Sequence, residues 1–384
     1  MREDEWTFLP RAAWGFFMSD QKSAGTEKFM SQAVQTAVEG KQRVSPNPRV
    51  GALIVRNGKI VGKGRHERFG GPHAEVNAIR DAGSGVKDAE MYVTLEPCCH
   101  TGKTPPCTGL IIRSGIKKVY IGMEDPNPLV AGSGISQLRA AGIAVTTNVL
   151  NEECVKLNQP FIKMMKRRFP YIIAKAATTL DGYIADIKGN SKWISSGLSR
   201  KAVHSMRAEA DAVLVGMGTV IADDPELTVR NAAGDNPLRV VFDPGGRLQV
   251  KTKLVKSAAE TPLYVITGTE TGENWKQTLR AHKVNLILSK EKGRAALKDG
   301  LKQLGALGIQ SILAEGGGKL HSMLAELDII DRLELFIAAK LLGDGVRMMK
   351  IPPRRMPDPA VFLSHRWRQS GEDMHFTGII KHYE

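Results

Sequence analysis

The chain has 384 residues, of which 42% are hydrophobic and 24% charged; this excludes a largely disordered protein and, at roughly 100–200 residues per domain, implies two or three cores. Lys and Arg outnumber Asp and Glu by 54 to 40, for a net charge of +14, which suits nucleic acid, an anionic surface or small phosphorylated ligands without choosing among them. No run of about 18 apolar residues can span a bilayer, and Cys98, Cys99 and Cys107 crowd together among only four cysteines, which favours a metal or catalytic cluster in a reducing, cytoplasmic setting over a disulfide framework.

Residues 1–22 follow no periodic pattern and contain a second methionine, Met18; they are expected to be a disordered extension or an over-called start. An apolar helix is expected from about residue 33, then strands over 50–55 and 60–64 forming a hairpin. A helix over 73–82, a strand over 91–95, a helix over 108–114 and a strand over 118–122 follow, then a helix over 136–141 and a strand over 143–149. This alternation predicts a mainly parallel sheet with helices on its faces. A helix over 152–166, kinked at Pro160, ends in Lys163, Lys166, Arg167 and Arg168 before Pro170, a stop signal that places the boundary between units 23–168 and 169–384. The second unit restarts with a strand over 171–177 and a helix over 199–208. Strands over 212–215, 239–242 and 263–266, helices near 274–281 and 294–307, and strands over 311–314 and 333–338 make it α/β as well.

The sharpest chemical signal is His73-Ala74-Glu75 opening a helix, followed after a strand by Pro97-Cys98 and then Cys107. An imidazole and two thiolates give Zn2+ three protein ligands and leave a fourth position for water, the count of a catalytic site. Zinc lowers the pKa of bound water, and a carboxylate beside it, here Glu75, can carry the proton to a leaving amine. H-x-E with P-C-x-x-C is the zinc nucleobase-deaminase signature. A closed structural site using Cys99 and His100 is the alternative, and Cys154 reads as a packed thiol. In the second half, Gly216-Met217-Gly218-Thr219 and Glu315-Gly316-Gly317-Gly318 each follow a strand. They are either phosphate-approaching turns of a nucleotide pocket or ordinary strand-to-helix turns.

The run Thr94-Leu95-Glu96-Pro97-Cys98-Cys99-His100-Thr101-Gly102-Lys103-Thr104-Pro105-Pro106-Cys107, together with Ser45-Pro46-Asn47-Pro48-Arg49 and Asp125-Pro126-Asn127-Pro128, resembles the deaminase half of the bifunctional riboflavin-biosynthesis RibD family. The longer loop between Cys98 and Cys107 sets it apart from cytidine and tRNA-adenosine deaminases. Lys175-Ala176-Ala177-Thr178-Thr179-Leu180-Asp181-Gly182, Ser191-Lys192-Trp193, Ala222-Asp223-Asp224-Pro225-Glu226-Leu227-Thr228-Val229-Arg230 and Glu315-Gly316-Gly317 resemble its reductase half. The resemblance covers roughly residues 28–380. It implies a cytidine-deaminase-like three-layer domain followed by a dihydrofolate-reductase-like domain, using Zn2+ and NADPH. It further implies that Glu75 is catalytic, that His73, Cys98 and Cys107 hold zinc, and that Asn47, His66, Lys103, Asp125 and Asn127 surround the pyrimidine and ribosyl phosphate. Lys103 is a phosphate contact or a solvated loop lysine.

In the second domain the same resemblance assigns substrate to Lys175, Ser191, Arg207, Leu227, Arg230 and Glu315. NADPH falls to Ala177, Trp193, Thr219, Asp223, Gly317, Gly318, Lys319, Leu320, His321, Ser322 and Met323. Arg207 and Arg230 suit the substrate phosphate, since a guanidinium fork matches phosphate oxygens, although either can be a surface arginine. Lys175 and Asp223 are candidates for positioning sugar hydroxyls or moving protons, and Trp193 either stacks on the cofactor or fills the core. The implied activity is deamination of a phosphorylated diaminopyrimidinone followed by reduction of its ribosyl to a ribityl chain, in a homodimer or homotetramer. The competing readings are a deaminase with a non-catalytic second half and a nucleic-acid base deaminase, the latter without an aromatic and basic stripe to support it.

Overall fold

The computed structural model describes residues 21–39, 44–100, 105–127, 130–357 and 359–380. The expected extension lies outside these residues except for its last two, which already belong to the helix Gln21–Val38. That helix begins earlier than its apolar stripe suggested, because the stripe Met30, Ala33, Val34 and Ala37, three and four residues apart and buried, occupies only its second half.

The first sheet contains β1 (Gly51–Arg56), β2 (Lys59–Arg65), β3 (Glu90–Leu95), β4 (Lys118–Met123) and β5 (Ala144–Thr146) in the order β2-β1-β3-β4-β5. Strands β3, β4 and β5 are parallel, whereas β1 pairs antiparallel with both β2 and β3. A mixed sheet thus replaces the mainly parallel one expected. A Cβ added at Gly51 would lie 2.1 Å from the Ala33 carbonyl oxygen, and one at Gly64 would lie 2.2 Å from Ala74 O and Ala78 N. Gly64 pairs with Ala52, the neighbour of Gly51, and successive strand residues face opposite ways. The helices Gln21–Val38 and Ala74–Ala82 therefore sit on opposite faces, completing three layers. Gly64 also sets how closely the helix that follows His73 approaches the sheet.

The expected single helix over 152–166 is two helices, Asn151–Leu157 and Gln159–Arg167. The break falls at Asn158, where the buried side-chain amide accepts from Arg49 N and donates to Arg49 O, 2.8 and 2.9 Å. Pro160 sits in the first turn of the second helix, where its missing N–H costs nothing. This helix ties the two halves together: Lys163 Nζ lies 2.6 Å from Asp331 Oδ2, which also accepts from Ile172 N. Gln310 Nε2 adds a bond to Pro46 O at 2.8 Å.

The second sheet has nine strands: β6 (Tyr171–Thr179), β8 (Ala212–Gly216), β9 (Leu238–Phe242), β10 (Leu263–Gly268), β11 (Asn285–Ser289), β12 (Ser311–Ala314), β13 (Ile330–Ala338), β15 (Phe362–Ser370) and β16 (Asp373–Ile380). Their order is β11-β10-β9-β8-β12-β6-β13-β16-β15. A small ladder joins β7 (Tyr183–Ala185) to β14 (Val346–Arg347). Seven strands from β11 to β13 are parallel, and the hairpin β15–β16 closes the edge antiparallel. Buried aliphatic clusters fill the layers between sheet and helices. Among the described residues no helix is long and apolar enough to cross a membrane.

Candidate active sites

His73 is the N-cap of the helix Ala74–Ala82, and Cys107 is the first residue of the helix Cys107–Arg113. Cys98 follows the end of β3. Two helix starts and a strand end thereby bring His73 Nδ1 to 3.5 Å from Cys98 Sγ and 3.3 Å from Cys107 Sγ. All three donor atoms lie within 4.8 Å of one another, the one such His, Cys, Asp or Glu group among the described residues. Tetrahedral zinc with ordinary Zn–S and Zn–N lengths places its S and N donors about 3.6 Å apart, so the cluster fits that ion. The donor chemistry agrees. The hydrogen bond between the two thiols pulls Cys98 down and, with burial, pushes Cys107 up, so without a metal they share one proton, and a zinc ion would displace it. Cys99 and His100 stand outside the group.

Glu75, in the first turn of the same helix, is buried beside the thiols, and burial pushes its carboxyl above the ordinary range. His66 presents its ring edge to His73 at 5.5 Å between centroids. Its Nδ1 meets Pro72 O at 3.0 Å and its Nε2 meets Asn47 Nδ2 at 2.9 Å. Donation from Nδ1 to that carbonyl leaves Nε2 to accept from the amide, and burial holds the ring below its ordinary pKa, hence neutral. Asp125 Oδ1 accepts from Asn127 N at 2.8 Å, so these two share one turn beyond β4. Lys103 lies outside the described residues.

In the second unit, β8 and β12 are neighbours, so their two glycine turns lie side by side. A Cβ at Gly317 would have Thr219 Oγ1 as its nearest neighbour, 3.9 Å away, and the helix Gly318–Glu326 starts there. Backbone donors beside an open glycine suit the phosphates of a dinucleotide. The run from Gly317 to Met323 divides by depth. Leu320 and His321 are buried, with His321 Nε2 on Ala314 O, and Ser322 Oγ is spent on Gly318 O and Lys350 N. Gly317, Gly318 and exposed Lys319 remain at the turn, and Met323 is half-buried.

Glu315, after β12, receives Arg207 Nε and Nη2 at 2.6 and 2.9 Å, with Lys175 Nζ 4.0 Å away. Burial pushes the Glu315 carboxyl up, but Arg207 and then Lys175 outweigh it and hold it below the ordinary range, while burial pushes the Lys175 amine down. Arg207 also donates to Thr228 O, so its fork is largely satisfied by protein. Arg230 is exposed, in a surface pair with Glu226 at 2.7 Å. Leu227 is buried at a φ of 57°, half-buried Ala177 lies on β6, and Ser191 is half-buried in the loop before Trp193.

Trp193 is 65% exposed, which removes the core-filling alternative. Arg200 lies over its ring at 4.5 Å, and Lys340 Nζ bonds its carbonyl. The adjacent Lys192 reaches Asp223 at 3.6 Å, bringing the 191–193 loop to the exposed end of the helix Met217–Asp223. Sequence reasoning missed Asp373, whose Oδ2 accepts from Ser196 N at 2.7 Å and Ser199 Oγ at 2.6 Å. Its partners lie far away in sequence, and no local pattern announces it.

A His/Cys/Cys cluster with a buried carboxylate fits a zinc-dependent deaminase, and the parallel sheet with paired glycine turns joined to it fits a nucleotide-binding domain. The family model "Cytidine and deoxycytidylate deaminase zinc-binding region" matches residues 23–123, and the model "RibD C-terminal domain" matches residues 170–376. The chain belongs to the RibD family of riboflavin-biosynthesis proteins. It is 42% identical over 349 residues to riboflavin biosynthesis protein RibD of Aquifex aeolicus, covering 91% of this chain and 96% of that one. With RibD of Escherichia coli K12 it shares 38% over 369 residues, 92% and 99% of the two chains. It is also similar to the crystal structure of a diaminohydroxyphosphoribosylaminopyrimidine deaminase/5-amino-6-(5-phosphoribosylamino)uracil reductase from Thermotoga maritima. The TM-score is 0.83 and the identity 38%, with 94% of this chain and 100% of that chain covered. Acinetobacter baumannii RibD gives a TM-score of 0.84 at 34% identity over 94% and 100%.

Proposed function

We propose that the chain carries out both reactions named for its Thermotoga maritima relative: hydrolytic deamination of the phosphoribosylated diaminopyrimidine in the unit 23–168, then reduction of the ribosyl to a ribityl chain in the unit 169–384. The observation that carries this reading is the convergence of His73, Cys98 and Cys107 beside buried Glu75. Zinc, when bound there, supplies an activated water, and NADPH supplies a hydride to the sugar in the second unit. Glu75 moves protons at the ring nitrogen and then at the departing amine. Asn47, neutral His66, Asp125 and Asn127 are the residues we assign to the base and its ribosyl, and Lys103 is assigned to the phosphate by residue type.

In the second unit Gly317, Gly318 and Thr219 cradle the cofactor phosphates, Trp193 and Ala177 flank it, and Asp223 holds the 191–193 loop. Arg230 takes the substrate phosphate, since an exposed pair such as Arg230–Glu226 is worth little and exchanges readily. Arg207 acts by holding Glu315, and Lys175, Glu315, Ser191 and Leu227 face the sugar. We place the protein in the cytoplasm as a homo-oligomer without nucleic acid. The association is supported by the edge strand β15, where Leu363 and Trp367 are 66% and 52% exposed.

Metal removal separates the two activities. Dialysis against a chelator is expected to abolish ammonia release and zinc to restore it, while NADPH oxidation with the deaminated intermediate continues at its original rate. Loss of both activities on chelation would contradict two independent sites.

A further inference from the structure

We infer that Glu96 is a positioning residue of the deamination, locking the substrate-facing loop after β4 to the turn that carries Cys98; the inference rests on the deaminase reading above. Glu96 is 3% exposed and sits between the end of β3 and Pro97. Its Oε2 accepts from Asp125 N at 3.1 Å and Gly132 N at 3.0 Å. Its Oε1 accepts from Gly134 N at 2.9 Å and Ile135 N at 3.2 Å. Asp125 lies near the start of the connection between β4 and the helix Ser133–Ala140, Gly132 ends it, and Gly134 and Ile135 are in that helix's first turn. One carboxylate therefore closes both ends of the loop that bears Asp125 and Asn127.

A second contact fixes the same parts from outside the carboxylate. A Cβ on Gly134 would stand 2.2 Å from Pro97 O, so the start of this helix rests directly on the peptide preceding Cys98. The metal-ligand turn and the substrate loop are thus held as one body. A carboxylate suits the task because it has about four acceptor sites and no donor, whereas a glutamine of the same shape turns an NH2 toward amides that are themselves donors. At least two of the four amides then lose their partner. The anion also faces the start of a helix, where negative charge is favoured.

Glu96→Gln is expected to lower kcat/KM for ammonia release about 100-fold, the scale of a misplacement of about 1 Å, chiefly through KM. Zinc content and NADPH oxidation with the deaminated intermediate should stay at wild-type values, which makes the second unit an internal control for folding. Gly134→Ala, which disturbs the loop from the other side, should reproduce the split. Amide hydrogen exchange gives a readout independent of activity: Gly132, Gly134 and Ile135 should exchange faster in Glu96→Gln than in wild type. Wild-type KM and unchanged exchange in Glu96→Gln would overturn the inference. So would a parallel loss of zinc and of both activities in both variants, which would mark Glu96 as a general fold element. Absence of ammonia release in the wild type would instead overturn the deaminase reading, leaving the exchange experiment to decide the anchoring.

Discussion

Replacing Glu75 with Gln lowers ammonia release by about 10²–10⁴-fold, the usual contribution of a positioned general acid–base, and leaves zinc content and NADPH-dependent reduction intact. Three carboxylates lie near the cluster, and each has different partners. Glu96 spends both oxygens on four backbone amides, and Asp125 uses one on Asn127 N. Glu75 is the carboxylate placed directly against the thiols, on the helix that starts at His73 and is held to the sheet across Gly64. The Gln variant keeps the size and removes only proton transfer, so metal analysis and the two half-reactions on one sample check the assignment. A variant that loses zinc along with activity would show that Glu75 supports the metal site instead.

Replacing Glu315 with Gln costs about 3 kcal/mol, in the range for breaking a buried ion pair, and removes most of the reductase activity while ammonia release continues. The Arg207 and Lys175 side chains are largely withdrawn from solvent around this carboxylate, 12% and 16% exposed, and without it two cations lose their compensating charge. For a unit of this size each kcal/mol shifts the unfolding midpoint by about 2–4 °C, which calorimetry resolves. The pH dependence has a definite sign. The carboxyl titrates below its ordinary value of 4.5 in the folded protein, so its stabilisation is fully present above that value and is lost as the pH falls through the lower folded one. The gap between wild type and Glu315→Gln should therefore be full near neutrality, begin to narrow only below about pH 4.5, and close at more acid pH. A gap that persists unchanged at acid pH would show that the ion pair contributes nothing.

The deaminase chemistry was legible because its residues carry it in short spacings: His73 to Glu75 within one helical turn, and Cys98 and Cys107 around a single loop. Six of the seven parallel strands of the second sheet were equally readable, since buried runs such as 212–215 and 311–314 are almost wholly apolar, whereas β11, short and only partly buried, was not. Nor was the hairpin β15–β16. Strand β15 is exposed on both faces and reads as a mixed polar segment, and β16 breaks its alternation with buried Asp373 and His375. The anchors Glu96, Asn158 and Asp373 escaped for a related reason: each satisfies backbone groups far away in sequence, an interaction that leaves no spacing to detect. Arg207 looked like a phosphate ligand by residue type, and only the fold reveals that Glu315 already occupies its fork.

Incubating the purified chain with zinc, NADPH and the phosphoribosylated diaminopyrimidine, and following ammonia and NADPH in the same sample, tests the two-reaction account most directly. The account predicts that ammonia appears first and that NADPH oxidation follows until one equivalent of each has turned over per substrate. NADPH oxidation preceding ammonia release, or zinc-dependent ammonia release with no NADPH consumed, would contradict it.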